Sequence, residues 1–375
     1  MEMSSFIPVN KPLLDGKEKQ YLIECIESGW ISSEGPFVEE FERRFAARVG
    51  RKHGVAVCNG TAAIDAAVEA IGIGPGDEVI VPTFTIISCI GQILRNGAWP
   101  IFIDSNPQTW NMDVGQIEKK ITPRTKAILL VHVYGLPADV GPILEIAQKH
   151  GLKVIEDAAE MHGQTYCGKP CGSFGDLSIF SFYPNKHITT GEGGMVVTDD
   201  DELASTCRSL RNLCFQQQRR FVHDRLGWNL RMTNMQAALG LAQLERLDEF
   251  VQRKRAMGAR YNELLHGLPG VQLPLQQTDY AQNIYWVYGI VLDASLGFDA
   301  HEAMHRLEEK RIGTRPFFYP LHLQPLLQEK YSSHKGAYPV AERMGEQGLY
   351  LPSGMALTME QIDTVAKTVR DVLAQ

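Results

Sequence analysis

Apolar runs of strand length alternate with helix-patterned stretches over the first 200 or so residues of the chain. "HGVAVCN" is a short apolar run broken by Asn59-Gly60, and "TAAIDAAVEAIG" after it is an alanine-rich helix ending at Gly72. "DEVIVPTF" predicts a second strand with Pro82 at its end, and "WPIFIDSN" and "TKAILLVHVYG" are further runs rich in β-branched residues. "PILEIAQKHG" reads as a helix closed by Gly151, and "LKVIEDAA" as the strand after it. Strands alternating with helices predict an α/β fold with a mostly parallel sheet. Functional groups in such sheets gather beyond the carboxyl ends of the strands, so the residues after each apolar run are the ones to inspect.

Past the middle of the chain the pattern changes. "NMQAALGLAQLERLDEFVQRKRAMGARYNELLHGL" predicts one long helix, residues 234–266. Beyond it lie "IYWVYGIVL", "HEAMHRLEEKRIG", the Pro-rich loop "RPFFYPLHLQP" and a closing helix in "TMEQIDTVAKTVRDVLAQ". These predict a smaller α+β domain with the long helix as connector. No internal repeat is present.

Composition narrows the classes. A chain of 375 residues that is 44% hydrophobic suits one large domain and a smaller one. Net charge is −7 with lysine and arginine dispersed, which argues against a broad nucleic-acid footprint but allows a local basic pocket for phosphates. The first twenty residues or so lack a basic segment followed by an apolar one, and the longest apolar runs are too short to span a bilayer, so a cytoplasmic protein is expected. The seven cysteines are irregularly spaced; Cys167 and Cys171 lack a second ligand pair, so free thiols and no metal are expected.

Four strand ends hold candidate chemistry. Asn59-Gly60-Thr61 opens a helix, where free N–H groups and a hydroxyl suit a phosphate, although Thr61 could equally be an ordinary N-cap. Asp157 ends an apolar strand as a cap, a salt-bridge partner, or an anion that stabilises a protonated ring nitrogen. Ser181 and Lys186 follow the run "LSIF"; such a lysine can simply snorkel to solvent. Asn229 and Arg231 precede a helix. "TTGEGG" is no P-loop, because Lys186 comes before the glycines, and no GxGxxG follows the first strand. A lone lysine in that setting points to amine chemistry, the Schiff bases that lysine forms with carbonyl compounds and pyridoxal phosphate.

"EDAAE" (156–160), "GSFGDLSIFSFYPNKHITTGEGGMVVTDD" (172–200) and "GWNLRMTNMQAALGLAQLE" (227–245) resemble the DegT/DnrJ/EryC1/StrS family of sugar-nucleotide aminotransferases. "SGWISSEGPFVEEFE" (28–42), "GIGPGDEVIVPTFT" (72–85) and "GTRPFFYPLH" (313–322) fit the same family, so the likeness covers nearly the whole chain. It is greatest to the members that convert GDP-4-keto-6-deoxymannose to GDP-perosamine, a sugar of polysaccharides and O-antigens. The resemblance implies fold type I, the aspartate aminotransferase-like architecture, with a seven-stranded mostly parallel sheet. It implies a large cofactor-binding domain over 1–250, a small domain over 251–375 against which the N-terminal segment packs, and a homodimer with shared sites. It also implies pyridoxal 5'-phosphate as cofactor, pyridoxamine 5'-phosphate as its aminated form, L-glutamate as amino donor and a nucleotide-linked keto sugar as acceptor.

Residue by residue, the resemblance makes Lys186 the lysine that bonds to the cofactor and moves the proton. Asp157 becomes the carboxylate facing the pyridine nitrogen, and Glu160 the group near the ring hydroxyl. Gly60, Thr61 and Ser181 match the phosphate holders, and Asn229 matches an asparagine that reaches that phosphate from the other subunit. Trp30, Ser32, Arg315 and His322 are the expected substrate contacts. One departure is plain: Ile86 in "PTFTIIS" stands where relatives usually place an aromatic ring on the cofactor, so stacking is lost or comes from another residue such as Phe84. "FYPNKH" also departs from the "FFGNKT" of the perosamine-forming members. The rivals are an aminotransferase for another nucleotide-linked keto sugar, the family's dehydratase branch, which has histidine in place of Lys186, and a non-enzymic regulatory protein that binds the cofactor.

Overall fold

The main sheet is built from seven short strands, β1 (His53–Val57), β2 (Glu78–Pro82), β3 (Trp99–Ile103), β4 (Thr125–Val131), β5 (Lys153–Asp157), β8 (Leu177–Ser181) and β9 (Gly194–Thr198). A two-stranded hairpin, β6 (Thr165–Tyr166) and β7 (Lys169–Pro170), projects between β5 and β8. The computed structural model describes residues 6–216, 218–328 and 337–374. Helices α1 (Glu18–Ser28) and α2 (Pro36–Arg48) precede the sheet. Between its strands lie α3 (Gly60–Ala70), α4 (Ser88–Arg95) and α5 (Val140–His150), and α6 (Asp201–Arg211) follows it.

Strand β4 shows why the sheet strands read as unbroken apolar runs. Ala127, Leu129 and Val131 pack with residues of α3 and α4, while Ile128 and Leu130 pack with Val140 and Ile143 of α5. Both faces are covered, as an all-buried parallel strand requires. The strand order is β1-β9-β8-β5-β4-β2-β3. Only β9 runs against its neighbours, so the other six strands point the same way.

The long helix predicted over 234–266 is two helices, α7 (Asn234–Leu244) and α8 (Leu247–Leu265). A capping box at Thr233 and Gln236 starts α7. The break falls at Arg246, whose backbone leaves helical values at φ −113° and ψ 9°. Its guanidinium binds Asp15 and Glu249 there, which ties the turn to the N-terminal segment.

A second, four-stranded antiparallel sheet follows: β10 (Val271–Gln272), β11 (Tyr288–Leu292), β12 (Arg315–Pro316) and β13 (Gly348–Leu351), in the order β10-β11-β13-β12. Helices α9 (Ala300–Glu309), α10 (Pro325–Gln328), α11 (Pro339–Gln347) and α12 (Met359–Leu373) accompany it. Its core joins Tyr261 and Leu265 of α8 to Ile290 of β11 and Val365 and Val369 of α12. The segment after residue 6 also belongs here: Ile7 bridges Ile312, and the carbonyls of Val9 and Lys11 accept from the amides of Ser353 and Ala356 at 2.9 and 3.0 Å. No helix among the described residues is long and apolar enough to cross a membrane.

Candidate active site

Because six strands share one direction, β1, β2, β4, β5 and β8 end on the same edge, and a cavity of about 490 Å³ opens there. The end of β1 supplies Asn59, Gly60 and Thr61. Asn59, not Thr61, caps α3: its side chain accepts from the Ala62 amide at 2.8 Å. Thr61 is exposed on the cavity wall, and its hydroxyl makes no hydrogen bond among the described residues. A Cβ on Gly60 would come within 2.7 Å of the Ser181 side chain, so only glycine lets the ends of β1 and β8 close into one cradle. A helix N-terminus with two hydroxyls is a place for a phosphate.

Asp157, the last residue of β5, is 4% exposed. One carboxylate oxygen accepts from the Ala159 amide at 3.0 Å and the other from the Cys89 thiol at 3.4 Å. Burial raises its pKa, and these two donors oppose that rise, followed by the charge of Lys186. Lys186 lies in the connection from β8 to β9, with its ammonium 3.6 Å from Glu160 Oε1 and 3.8 Å from the centre of the Trp286 ring. Burial lowers the lysine's pKa, against the pull of Glu160 and Asp157. Burial also pushes Glu160 up to about 7, although Lys186 and the Tyr134 amide at 2.7 Å hold it down. The structure thus gathers Lys186, Asp157, Glu160, Gly60, Thr61 and Ser181 on one cavity wall.

The other expected residues lie elsewhere in the single chain. Asn229 is exposed, accepts from Arg231 Nε at 2.9 Å, and does not line its own chain's cavity. The carbonyls of Trp30 and Ser32 are held by Asn234, outside the cavity. Arg315 is exposed on β12, paired in register with Tyr350, whose ring does line the cavity. His322 is buried at 3% exposure, with Nδ1 2.7 Å from the Thr83 hydroxyl and Nε2 3.1 Å from Glu342. Ile86 does face the cavity, half-exposed, whereas Phe84 is fully buried edge-on to Tyr134. Phe84 therefore supplies no stacking surface.

A profile of the DegT/DnrJ/EryC1/StrS aminotransferase family matches residues 12–370. The chain belongs to that family. It is 44% identical to the GDP-perosamine synthase of Escherichia coli O157:H7 and 43% identical to that of Caulobacter vibrioides, each alignment covering 98% of both proteins. Among solved structures it is similar to DesV of S. venezuelae, with a TM-score of 0.89, 35% identity, and 96% and 95% of the two chains covered. The sheet order and the second sheet are those of fold type I, and the protein is a pyridoxal-phosphate-dependent aminotransferase. The residues present fit that cofactor: a buried amine for its aldehyde, a buried carboxylate for a protonated ring nitrogen, and the glycine cradle for its phosphate.

Several cavity residues carry no signal that sequence reasoning picked up. Trp286 reaches the site from the segment before β11, Tyr350 from β13 and Phe318 from the Pro-rich loop, while Cys89 of α4 sits buried behind Asp157 without lining the cavity. His132, at the end of β4, is a histidine inside an apolar run. Its Nδ1 accepts from the Ala138 amide at 3.0 Å, so Nε2 carries the proton and donates to Glu156 at 3.0 Å. His132, Glu156 and Cys171 lie within 4.8 Å of one another, but both ring nitrogens and the carboxylate are spent on hydrogen bonds.

Proposed function

We propose that this enzyme moves the amino group of L-glutamate to C4 of GDP-4-keto-6-deoxymannose, forming GDP-perosamine. The observation that carries the chemistry is the Lys186 amine, buried between Glu160 and Trp286 in the cavity that Asp157 also lines. The substrate rests on the full-length likeness to GDP-perosamine synthases of two organisms. When bound, pyridoxal phosphate supplies an aldehyde for amines and a protonated ring that accepts electrons from the bond being broken.

Each residue then has a task. With the cofactor bound, Asp157 would hold a negative charge against its ring nitrogen and so keep it protonated. Gly60, Thr61 and Ser181 would hold its phosphate at the start of α3. Glu160 would hydrogen-bond its ring hydroxyl. Lys186, a better base for being desolvated, lifts a proton from the α-carbon of glutamate and later delivers one to the sugar carbon. Arg315, paired in register with Tyr350 on the neighbouring strand, and Trp30 and Ser32 contact the sugar nucleotide once a second subunit is in place. His322 ties the Pro-rich loop to the end of β2 through its two bonds to Thr83. The protein works as a homodimer, in which Asn229 of one subunit reaches the phosphate of the other.

Loaded with pyridoxal phosphate, the protein should show a visible band that glutamate bleaches. GDP-4-keto-6-deoxymannose should restore the band and yield a 4-amino sugar by mass spectrometry. A band that glutamate leaves untouched would make this a binder without turnover, and a tenfold better kcat/KM with another nucleotide-linked keto sugar would replace the substrate. Lys186→Ala should abolish both band and turnover while circular dichroism stays that of the parent. Asn229→Asp should expel the cofactor phosphate by charge repulsion. Mixed with Lys186→Ala under subunit exchange, it should recover about a quarter of wild-type activity, because about half the dimers are hybrids with one intact site. The double mutant mixed with wild type should gain nothing from its hybrids. Exchange that restores no activity in the first mixture rules out a shared site at Asn229.

A further inference from the structure

As the cofactor-bonding lysine, Lys186 would have its amine free of the cofactor for part of every cycle. A free lysine side chain has four rotatable bonds and rotamer entropy to regain, so something must keep it in place. The structure shows what it rests on. Its ammonium is centred on the Trp286 indole, 3.8 Å from the ring centre, with Glu160 on another side at 3.6 Å.

That indole is itself held from three directions. Its Nε1 donates to the Asn185 carbonyl at 2.8 Å, so the ring is pinned to the residue next to Lys186. Its backbone carbonyl accepts from Lys254 Nζ at 2.8 Å, and the same ammonium is bonded to the Ser353 carbonyl. Lys254 is buried, and among the described residues no carboxylate pairs with it; its two bonds are both to backbone of the second-sheet unit. Finally, Gly135 (φ +102°) lets the segment around Trp286 pass close, since a Cβ there would lie 2.5 Å from the Trp286 nitrogen. An indole gripped in this way presents a fixed face.

We propose that the face of Trp286 is the seat of the Lys186 ammonium whenever that amine is not bonded to the cofactor, keeping it beside Glu160 and within reach of the carbons it serves. The inference rests on the reading of Lys186 as the cofactor-bonding lysine. The indole's negative face favours the charged amine, against the burial that disfavours it. The other titratable groups around the amine are Glu160, Asp157 and Cys89, which favour its charge, and the buried imidazoles His162 and His187, which its charge disfavours.

The test uses the cofactor-free full chain with pyridoxal phosphate as probe. Only the neutral amine attacks the aldehyde, so the rate of band formation against pH reports the protonation of Lys186. Trp286→Leu should lower the midpoint of that profile by about half to one pH unit, and Trp286→Phe by less, in the same direction. Glu160→Gln serves as the positive control and should also lower it. In single turnovers Trp286→Leu should slow both proton-transfer half-reactions several-fold at unchanged KM for glutamate, and Trp286→Phe should restore most of the loss. A wild-type midpoint in Trp286→Leu beside a shifted one in Glu160→Gln overturns the proposal. Should Trp286→Leu fail to fold, an unshifted Trp286→Phe with wild-type half-reactions overturns it equally. Band formation at the wild-type rate in Lys186→Ala would instead sink the underlying assignment of the lysine.

Discussion

Glu156 and Asp157 are neighbours on β5, both buried, and they face opposite sides of the sheet. Glu156 accepts from His132, the amides of Gly172 and Phe174, and the Ser178 hydroxyl, at 2.6 to 3.0 Å. Asp157 accepts from one amide and one thiol, the weakest donor type present, and borders a cavity. The first carboxylate is saturated and organises the loop from Gly172 to Ser178. The second is left short of donors beside an open space. A buried charge with all its bonds made belongs to the scaffold, and one with acceptor capacity to spare waits for a ligand.

Exchanging each carboxylate for its amide separates the two roles. Asp157→Asn is expected to cut turnover about 100-fold, since an unprotonated ring is a poorer electron sink, with stability changed by less than about 1 kcal/mol. Glu156→Gln should do the reverse: it sets an amide N–H₂ against donors and should cost about 3 kcal/mol in denaturant unfolding. Its kcat per folded molecule should stay within a few-fold of wild type. If the two variants behave alike in both measurements, the distinction between scaffold and site carboxylate is wrong.

Glu160 sharpens the comparison by pH. In the folded cofactor-free chain it keeps its proton up to about pH 7, against 4.5 as the ordinary glutamate value. The folded state therefore binds more protons than the unfolded state across that window, and stability declines as pH rises through it. Glu160→Gln should flatten the decline, raising the melting temperature by a few degrees at pH 8 and little at pH 5. An equal gain at both pH values would mean that the carboxylate's charge is not the cause.

The smallest effect is expected at Ile86. A tyrosine there should tighten pyridoxal phosphate by roughly 1 kcal/mol if the position faces the ring. Unchanged affinity with an unaltered band would place the stacking surface elsewhere on the cavity wall.

What could be read from the chain alone follows the range of the interactions involved. Alternating apolar runs and their punctuation are local, so the parallel sheet and the strand ends at Asn59, Asp157 and Ser181 were legible. Lys186 stood out as a lone lysine ahead of a glycine-rich turn, but the groups that surround its amine, Glu160, Asp157 and Trp286, come from distant parts of the chain. The choice of Asn59 over Thr61 as cap depends on backbone angles at the helix start, and the break at Arg246 on an ion pair to Asp15, 231 residues away. Trp286 comes to the cavity from the segment before β11 and Tyr350 from β13, and nothing adjacent to them in sequence announces a site. Phe84 looked available as an aromatic beside Ile86, but it lies in the bend after β2 and packs into the core against Tyr134, Phe317 and Phe318.

The ties of Ile7, Val9 and Lys11 to Ile312, Ser353 and Ala356 have a consequence for synthesis on the ribosome. Those residues are made roughly 300 positions before their partners, which flank β12 and β13 of the second sheet. At about 5–20 residues per second the wait lasts tens of seconds, during which the segment leading to α1 has no place to lie. The sheet around Lys186 can assemble in that time, but closure of the strap must come after it, as a long-range and slow step.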